Sequence, residues 1–243
     1  MARGAILIGG SSGIGEALAR ELAKAGYEIG LAARRLERLK RIGSELPSKT
    51  SVASMDVTDT ADARDGFFQL AEAMDSVNLV VISAGVGQIN HDLEWEPERE
   101  TIDVNVRGFV AIATAALEWF EATGGGHLVG ISSVAALFGN PSTPAYNASK
   151  AFVSRYLEGV RYRQAGRQPP VTVTTVEPGF VDTEMAMADD DGLFWVASPE
   201  TAAKQIAKAI ARKRTHVYVT RRWRLVAWFI KLLPERVRSR LFS

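Results

Sequence analysis

The sequence predicts a single-domain α/β fold: a doubly wound parallel sheet of about seven strands with helices on both faces. Three observations carry this. Short runs rich in Val and Ile alternate with stretches of helical periodicity. The runs are apolar enough to be buried on both sides, as strands of a parallel sheet are. No repeat, low-complexity segment or linker divides the 243 residues, a length that suits one large domain.

The elements follow in order. GAILIGG (4–10) reads as the first strand and opens into a helix across 13–25. YEIGLAA (27–33) is the second strand, followed by a helix from about 36 to 46. TSVASMDV (50–57), VNLVVISAG (77–85), GHLVGISS (126–133), PVTVTTVEPG (170–179) and THVYVT (215–220) are the remaining five. Helical patterns run over 97–122, 144–167 and 199–213. Residues 1–220 form the body, and 221–243 a basic amphipathic extension of the same domain.

Composition narrows the function classes. Apolar residues are 47% and charged residues 23%, the profile of a soluble globular protein. The absence of cysteine excludes disulfides, thiol catalysis and cysteine-ligated zinc, and suits the cytoplasm. His91, His127 and His216 are far apart in sequence, so no metal site is expected. The start MARGAILIGG is too short for a signal peptide, and no stretch reaches the roughly 20 apolar residues that span a bilayer. Charge is uneven. Residues 211–243 hold ten Lys and Arg and one acid, a charge of +9, while the other 210 residues carry −8.

The turn after the first strand, GGSSGIG, predicts a phosphate cradle. Gly9, Gly13 and Gly15 allow a tight turn and close backbone approach, with Ser11, Ser12 and Ile14 between them. The free N–H groups of the helix start would receive a pyrophosphate. The second strand ends LAARR. Where an NAD-binding fold places an acid stands Ala33, and Arg34 and Arg35 follow. Arginine is shaped for bidentate phosphate contact, and two cations at a helix start oppose its dipole. NADP(H) is therefore expected over NAD(H).

The stretch TPAYNASKAF (143–152) places Tyr146 four residues before Lys150, on one helix face. A lysine ammonium there favours the tyrosine phenolate. The spacing alone is common. What gives it meaning is the rest of the chain, which resembles the short-chain dehydrogenase/reductase family in its branch of about 250 residues. The resemblance covers roughly residues 4–220 and rests on motifs in order: GGSSGIG (9–15), Asp56, SAG (83–85), Asn105 in DVNVRG, Ser133, YNASK (146–150) and PGFVDT (178–183).

The resemblance implies a Rossmann-like fold and a set of roles. Tyr146 would be the general acid in carbonyl reduction or the base in alcohol oxidation. Lys150 would lower the Tyr146 pKa and bind the nicotinamide ribose. Ser133 would hydrogen-bond the substrate oxygen, and Asn105 would hold a water that links Lys150 to solvent. Asp56 and Val57 would contact the adenine, and Ser83, Ala84 and Gly85 would pass beneath its ribose. Pro178, Gly179, Val181 and Thr183 would fix the carboxamide. Two departures stand out: Ile8-Gly9 where the family has Thr-Gly, and Ser83-Ala84-Gly85 where it has Asn-Ala-Gly. Both remove side chains that tie strands together near the cofactor.

The expected partner is a small-molecule carbonyl or alcohol, in a homodimer or homotetramer without nucleic acid. The rival readings are an NAD(H)-linked alcohol dehydrogenase and a catalytically idle dinucleotide sensor. Around the site, VAALFGN (134–140), Val86–Gly87 and the segment 184–200 with Met185, Met187, Leu193, Phe194 and Trp195 are mainly apolar, which predicts a hydrophobic substrate. In the tail, Leu225, Phe229, Leu232 and Leu233 lie on one helical face. With Trp223, Trp228 and the arginines, residues 222–243 suit peripheral membrane contact; a helix that packs on its own body or on a second subunit is an equal alternative.

Overall fold

The computed structural model describes residues 3–184, 195–220, 222–232, 234 and 237. Strand β1 (Gly4–Ile8) is buried at every residue and sends alternate side chains to opposite faces. Ala5 and Leu7 join one core and Ile6 and Ile8 the other. Around it β2 (Glu28–Ala33), β3 (Thr50–Ser54), β4 (Leu79–Ile82), β5 (Gly126–Ile131), β6 (Val171–Pro178) and β7 (His216–Val219) complete a seven-stranded sheet. All pairs are parallel, in the order β3-β2-β1-β4-β5-β6-β7. The order reverses between β1 and β4, and such a switch point opens a crevice at the strands' carboxyl ends.

Helices cover both faces. α1 (Gly13–Lys24), α2 (Leu36–Glu45) and α7 (Pro199–Ala211) bury Leu18, Leu22, Leu39, Ile42 and Ile206 against one side. α3 (Thr60–Glu72), α5 (Phe109–Thr123) and α6 (Pro144–Gln164) bury Phe67, Phe109, Phe120 and Leu157 against the other. Local chemistry sets their starts. Asp59 accepts from Asp62 N–H at the head of α3, and Ser198 accepts from Thr201 N–H at the head of α7. Proline stands at the first positions of α6 and α7, where its missing N–H costs nothing.

The single helix expected over 97–122 is in fact three pieces: α4 (Trp95–Ile102), a π-helical turn Asp103–Gly108, and α5. The wide turn is held by segments distant in sequence. The buried Asn105 side chain is held by Val86 and Ser149, and Gly108 sits where a Cβ would run into the Val57 backbone. Such bulges concentrate at functional sites. The last helix, α8 (Trp223–Leu232), returns to the body through Trp223 and Ala227, 3% and 1% exposed.

Candidate active site

The glycine loop between β1 and α1 is built by close approach. Gly9 has φ +88, and a Cβ there would strike the Ser83 and Ala84 backbone. A Cβ on Gly15 would strike the Gly9 carbonyl. The strand ends expected to miss side-chain ties are joined by backbone instead. Ser83 N–H and Ala84 N–H both donate to the Ile8 carbonyl, at 2.8 and 2.9 Å, and Gly9 N–H donates to Ala32 at 2.8 Å. The first turn of α1 presents N–H groups with no intrahelical acceptor, a ready anion site.

The two arginines separate. Arg35 crosses the loop: its Nη2 donates to Ser12 Oγ at 2.9 Å and Ser11 Oγ at 3.1 Å. Its Nη1 donates to Glu184 at 2.9 Å, and Arg38 donates to the other oxygen of the same carboxylate at 2.6 Å. These guanidinium hydrogen bonds hold Glu184 below the usual carboxylate range. Arg34 lies nearer Asp56. The Thr58 N–H, and after it the Thr58 hydroxyl and the Arg34 charge, hold Asp56 low against partial burial. Thr183 completes this corner, its methyl lying against Gly13.

Across the switch point, α6 carries Tyr146 and Lys150. The Ser133 hydroxyl lies close enough to the Tyr146 phenol to favour its ionised form. Lys150 Nζ lies 5.6 Å from the centroid of the Tyr146 ring and donates to the Ile131 carbonyl at 3.2 Å. Burial pushes the Tyr146 phenol up, and the neighbouring Ser133 hydroxyl only moderates this. Burial brings Lys150 down to about 8. The direction for Tyr146 is thus opposite to the lowering expected from its lysine neighbour, because desolvation of the phenolate outweighs the other influences here.

Asn105 reaches the same cluster. Its Oδ1 accepts from Val86 N–H at 2.8 Å, and its Nδ2 donates to Val86 O at 2.8 Å and Ser149 Oγ at 2.9 Å. A Cβ on Gly85 would approach Lys150 Nζ to 3.1 Å and Asn105 Oδ1 to 3.3 Å, so SAG, Asn105 and Lys150 converge at one point. Pro178 ends β6, and Gly179 follows at the foot of α8. Val181 pairs with Ala197. Met185, Met187, Leu193 and Phe194 lie outside the described residues.

Several site residues escaped sequence reasoning. Asn147 donates to the Ala135 and Phe138 carbonyls and so ties α6 to the 3-10 turn Val134–Leu137 that follows Ser133. Ser132 donates to the Lys150 carbonyl, and the Ser154 hydroxyl lies 2.8 Å from Ser132 Oγ and 2.7 Å from Glu177 Oε1, with its one proton available to either. Asn147 was within reach, since it adjoins Tyr146 in YNASK. Trp223 is buried, so this end of the tail packs on the protein's own body, one of the alternatives the sequence left open. A Cβ on Gly179 would collide with its indole, and it meets Phe180 edge-on at 5.5 Å and Trp195 at 6.3 Å. The missing side chain of Gly179 makes that slot.

The cradle fits a nicotinamide dinucleotide. Its glycines leave no room for side chains where a pyrophosphate would lie, Arg35 and two hydroxyls flank the turn, and Lys150 stands across the crevice.

Comparison with known proteins agrees. The family model described as short chain dehydrogenase matches residues 3–193. An uncharacterized oxidoreductase of Mycobacterium tuberculosis is 33% identical, over 97% of this chain and 95% of its own. Sulfoacetaldehyde reductase 2 of Chromohalobacter salexigens is 33% identical, over 89% and 91%. The alcohol dehydrogenase of the archaeon Thermococcus sibiricus, solved with 5-hydroxy-NADP, superposes with a TM-score of 0.78 at 25% identity, covering 90% of this chain and 94% of that one. The chain belongs to the short-chain dehydrogenase family and is an oxidoreductase built around a nicotinamide dinucleotide site.

Proposed function

We propose that the protein is an NADP(H)-dependent oxidoreductase that interconverts a carbonyl and a secondary alcohol on a hydrophobic substrate. One observation carries the reading: the Tyr146 phenol stands beside the Ser133 hydroxyl with the Lys150 ammonium 5.6 Å from the same ring. When bound, the dinucleotide supplies or accepts the hydride. In reduction, the Tyr146 hydroxyl gives its proton to the substrate oxygen, and the Ser133 hydroxyl donates to that oxygen as charge builds there. In oxidation the phenolate takes the proton, and the Lys150 ammonium stabilises it. Because burial raises the phenol, Tyr146 rests protonated at neutral pH, the form that reduction needs. Lys150 holds the ribose hydroxyls. One lone pair of Asn105 Oδ1 accepts from Val86, and the second is the seat proposed for the water beside Lys150.

Arg35, across Ser11 and Ser12, supports NADP(H), with Arg34 as the outer wall beside Asp56. The aromatic group of Phe180, Trp195 and Trp223 supports an apolar substrate. The test is a screen of carbonyls, from medium-chain ketones to sulfoacetaldehyde, with NADPH and with NADH, using Tyr146→Phe as the blank. Oxidation of NADPH by apolar ketones, absent in the blank, is expected. Turnover of small charged carbonyls alone sinks the substrate reading. NADH working as well as NADPH sinks the cofactor reading. Tight NADPH binding without turnover makes the protein a sensor.

A further inference from the structure

Helix α8 has two faces. Trp223 and Ala227 close onto the body, while Leu225, Trp228 and Phe229 point outward, 70%, 66% and 57% exposed. Three large apolar side chains on so short a helix form a patch that calls for an occupant. Arg224 shares the outward face, and α8 contains no acid. At the foot of the helix is a cavity of about 550 Å³, lined by Trp195, Lys204, Gln205, Lys208, Thr220 and Arg222. The Arg222 guanidinium lies 6.0 Å over the Trp195 ring. Among the described residues none of the three cations is ion-paired, and Glu200 is the carboxylate whose titration feels Lys204.

We propose that α8 and this cavity form a docking surface for an anionic phospholipid bilayer. Leu225, Trp228 and Phe229 enter the boundary between headgroups and acyl chains, and the cavity takes a headgroup phosphate among Lys204, Lys208 and Arg222. Charge decides the occupant. The segment 211–243 carries +9 on a body of −8, so two copies of α8 face to face would set cation against cation, whereas an anionic surface answers both the apolar face and the charge. No helix among the described residues is long and apolar enough to cross a membrane, so the helix lies flat. α8 also packs on the turn Val134–Leu137 beside Ser133, and its Trp223 fills the slot at Gly179. Docking therefore sets the mouth of the site against lipid, and an apolar carbonyl reaches it from the bilayer. That last step rests on the hydrophobic-substrate reading; the docking does not.

The test is co-sedimentation of the full chain with vesicles of phosphatidylcholine alone and of phosphatidylcholine mixed with phosphatidylglycerol. The mixed vesicles are expected to pellet the protein, the neutral ones to leave it in solution, and added salt to release it. The double variant Leu225→Glu, Trp228→Glu is expected to lose binding while its circular dichroism and thermal midpoint stay put. Lys204→Glu with Lys208→Glu is expected to weaken binding about tenfold or more. Absence of sedimentation with phosphatidylglycerol, or equal sedimentation with both vesicles, overturns the proposal. So does a double variant that changes from oligomer to monomer on size exclusion, which would make the face a subunit contact. Lost vesicle binding by the double variant, with soluble-substrate turnover intact, supports docking independently of the catalytic reading.

Discussion

The two sides of the crevice are held by different forces. On the glycine-loop side, Arg35 and Glu184 pair at the surface, their side chains 48% and 55% exposed. On the other, Asn105 and Lys150 are 1% and 5% exposed and held by hydrogen bonds inside the protein. Water screens the first and not the second. The rim can therefore be retuned at little cost to the fold, whereas the buried cluster fails if one bond is lost.

Five substitutions break or sharpen that contrast. Tyr146→Phe should reduce carbonyl turnover by about 10² to 10⁴, the range of a positioned acid, with NADPH affinity unchanged. A smaller loss would remove the phenol from the chemistry. Asn105→Ala leaves both polar groups of Val86 and the Ser149 hydroxyl short of a partner. It should cost about 3 kcal/mol in thermal or urea unfolding. An unchanged midpoint would show the buried side to be no more brittle than the rim.

The third concerns His127, buried in β5 with its Nε2 2.7 Å from Thr174 Oγ1, its pKa lowered by burial to about 4 from 6.5. Between those values the unfolded chain binds the extra proton. Stability is therefore full above about pH 6.5 and falls as pH drops toward 4, by up to about 3 kcal/mol. His127→Gln should flatten that slope. The smallest effects belong to the rim. Arg35→Ala should weaken NADPH binding about tenfold, leave NADH binding unchanged and shift stability by less than about 0.5 kcal/mol. Glu184→Gln, by removing a carboxylate that shares Arg35, should tighten NADPH binding a few-fold. Equal losses of NADPH and NADH affinity in Arg35→Ala would remove the guanidinium from cofactor choice.

Much of this was legible in the sequence, and the rest was hidden for physical reasons. All seven strands stand within a few residues of the apolar runs that announce them, because a sheet buried on both faces leaves an unbroken signature. VNLVVISAG shrinks to Leu79–Ile82 because the chain turns away at Ser83 to meet the glycine loop. The π turn was invisible, since one added residue barely disturbs a helical pattern and its cause lies in Val86 and Ser149, far off in sequence. Arg34 and Arg35 could be counted but not aimed. The raised Tyr146 phenol needed burial, which spacing does not report.

The slot at Gly179 has a consequence on another timescale. A side chain at 179 and an indole at 223 cannot occupy the same space, so the two positions are free to drift only as a pair. Related chains that keep the glycine should keep a flat aromatic ring on the returning helix. Those that gain a side chain at 179 should carry something small at 223, or a tail folded elsewhere. Forty-four residues apart, these two positions are expected to change together across an alignment of relatives.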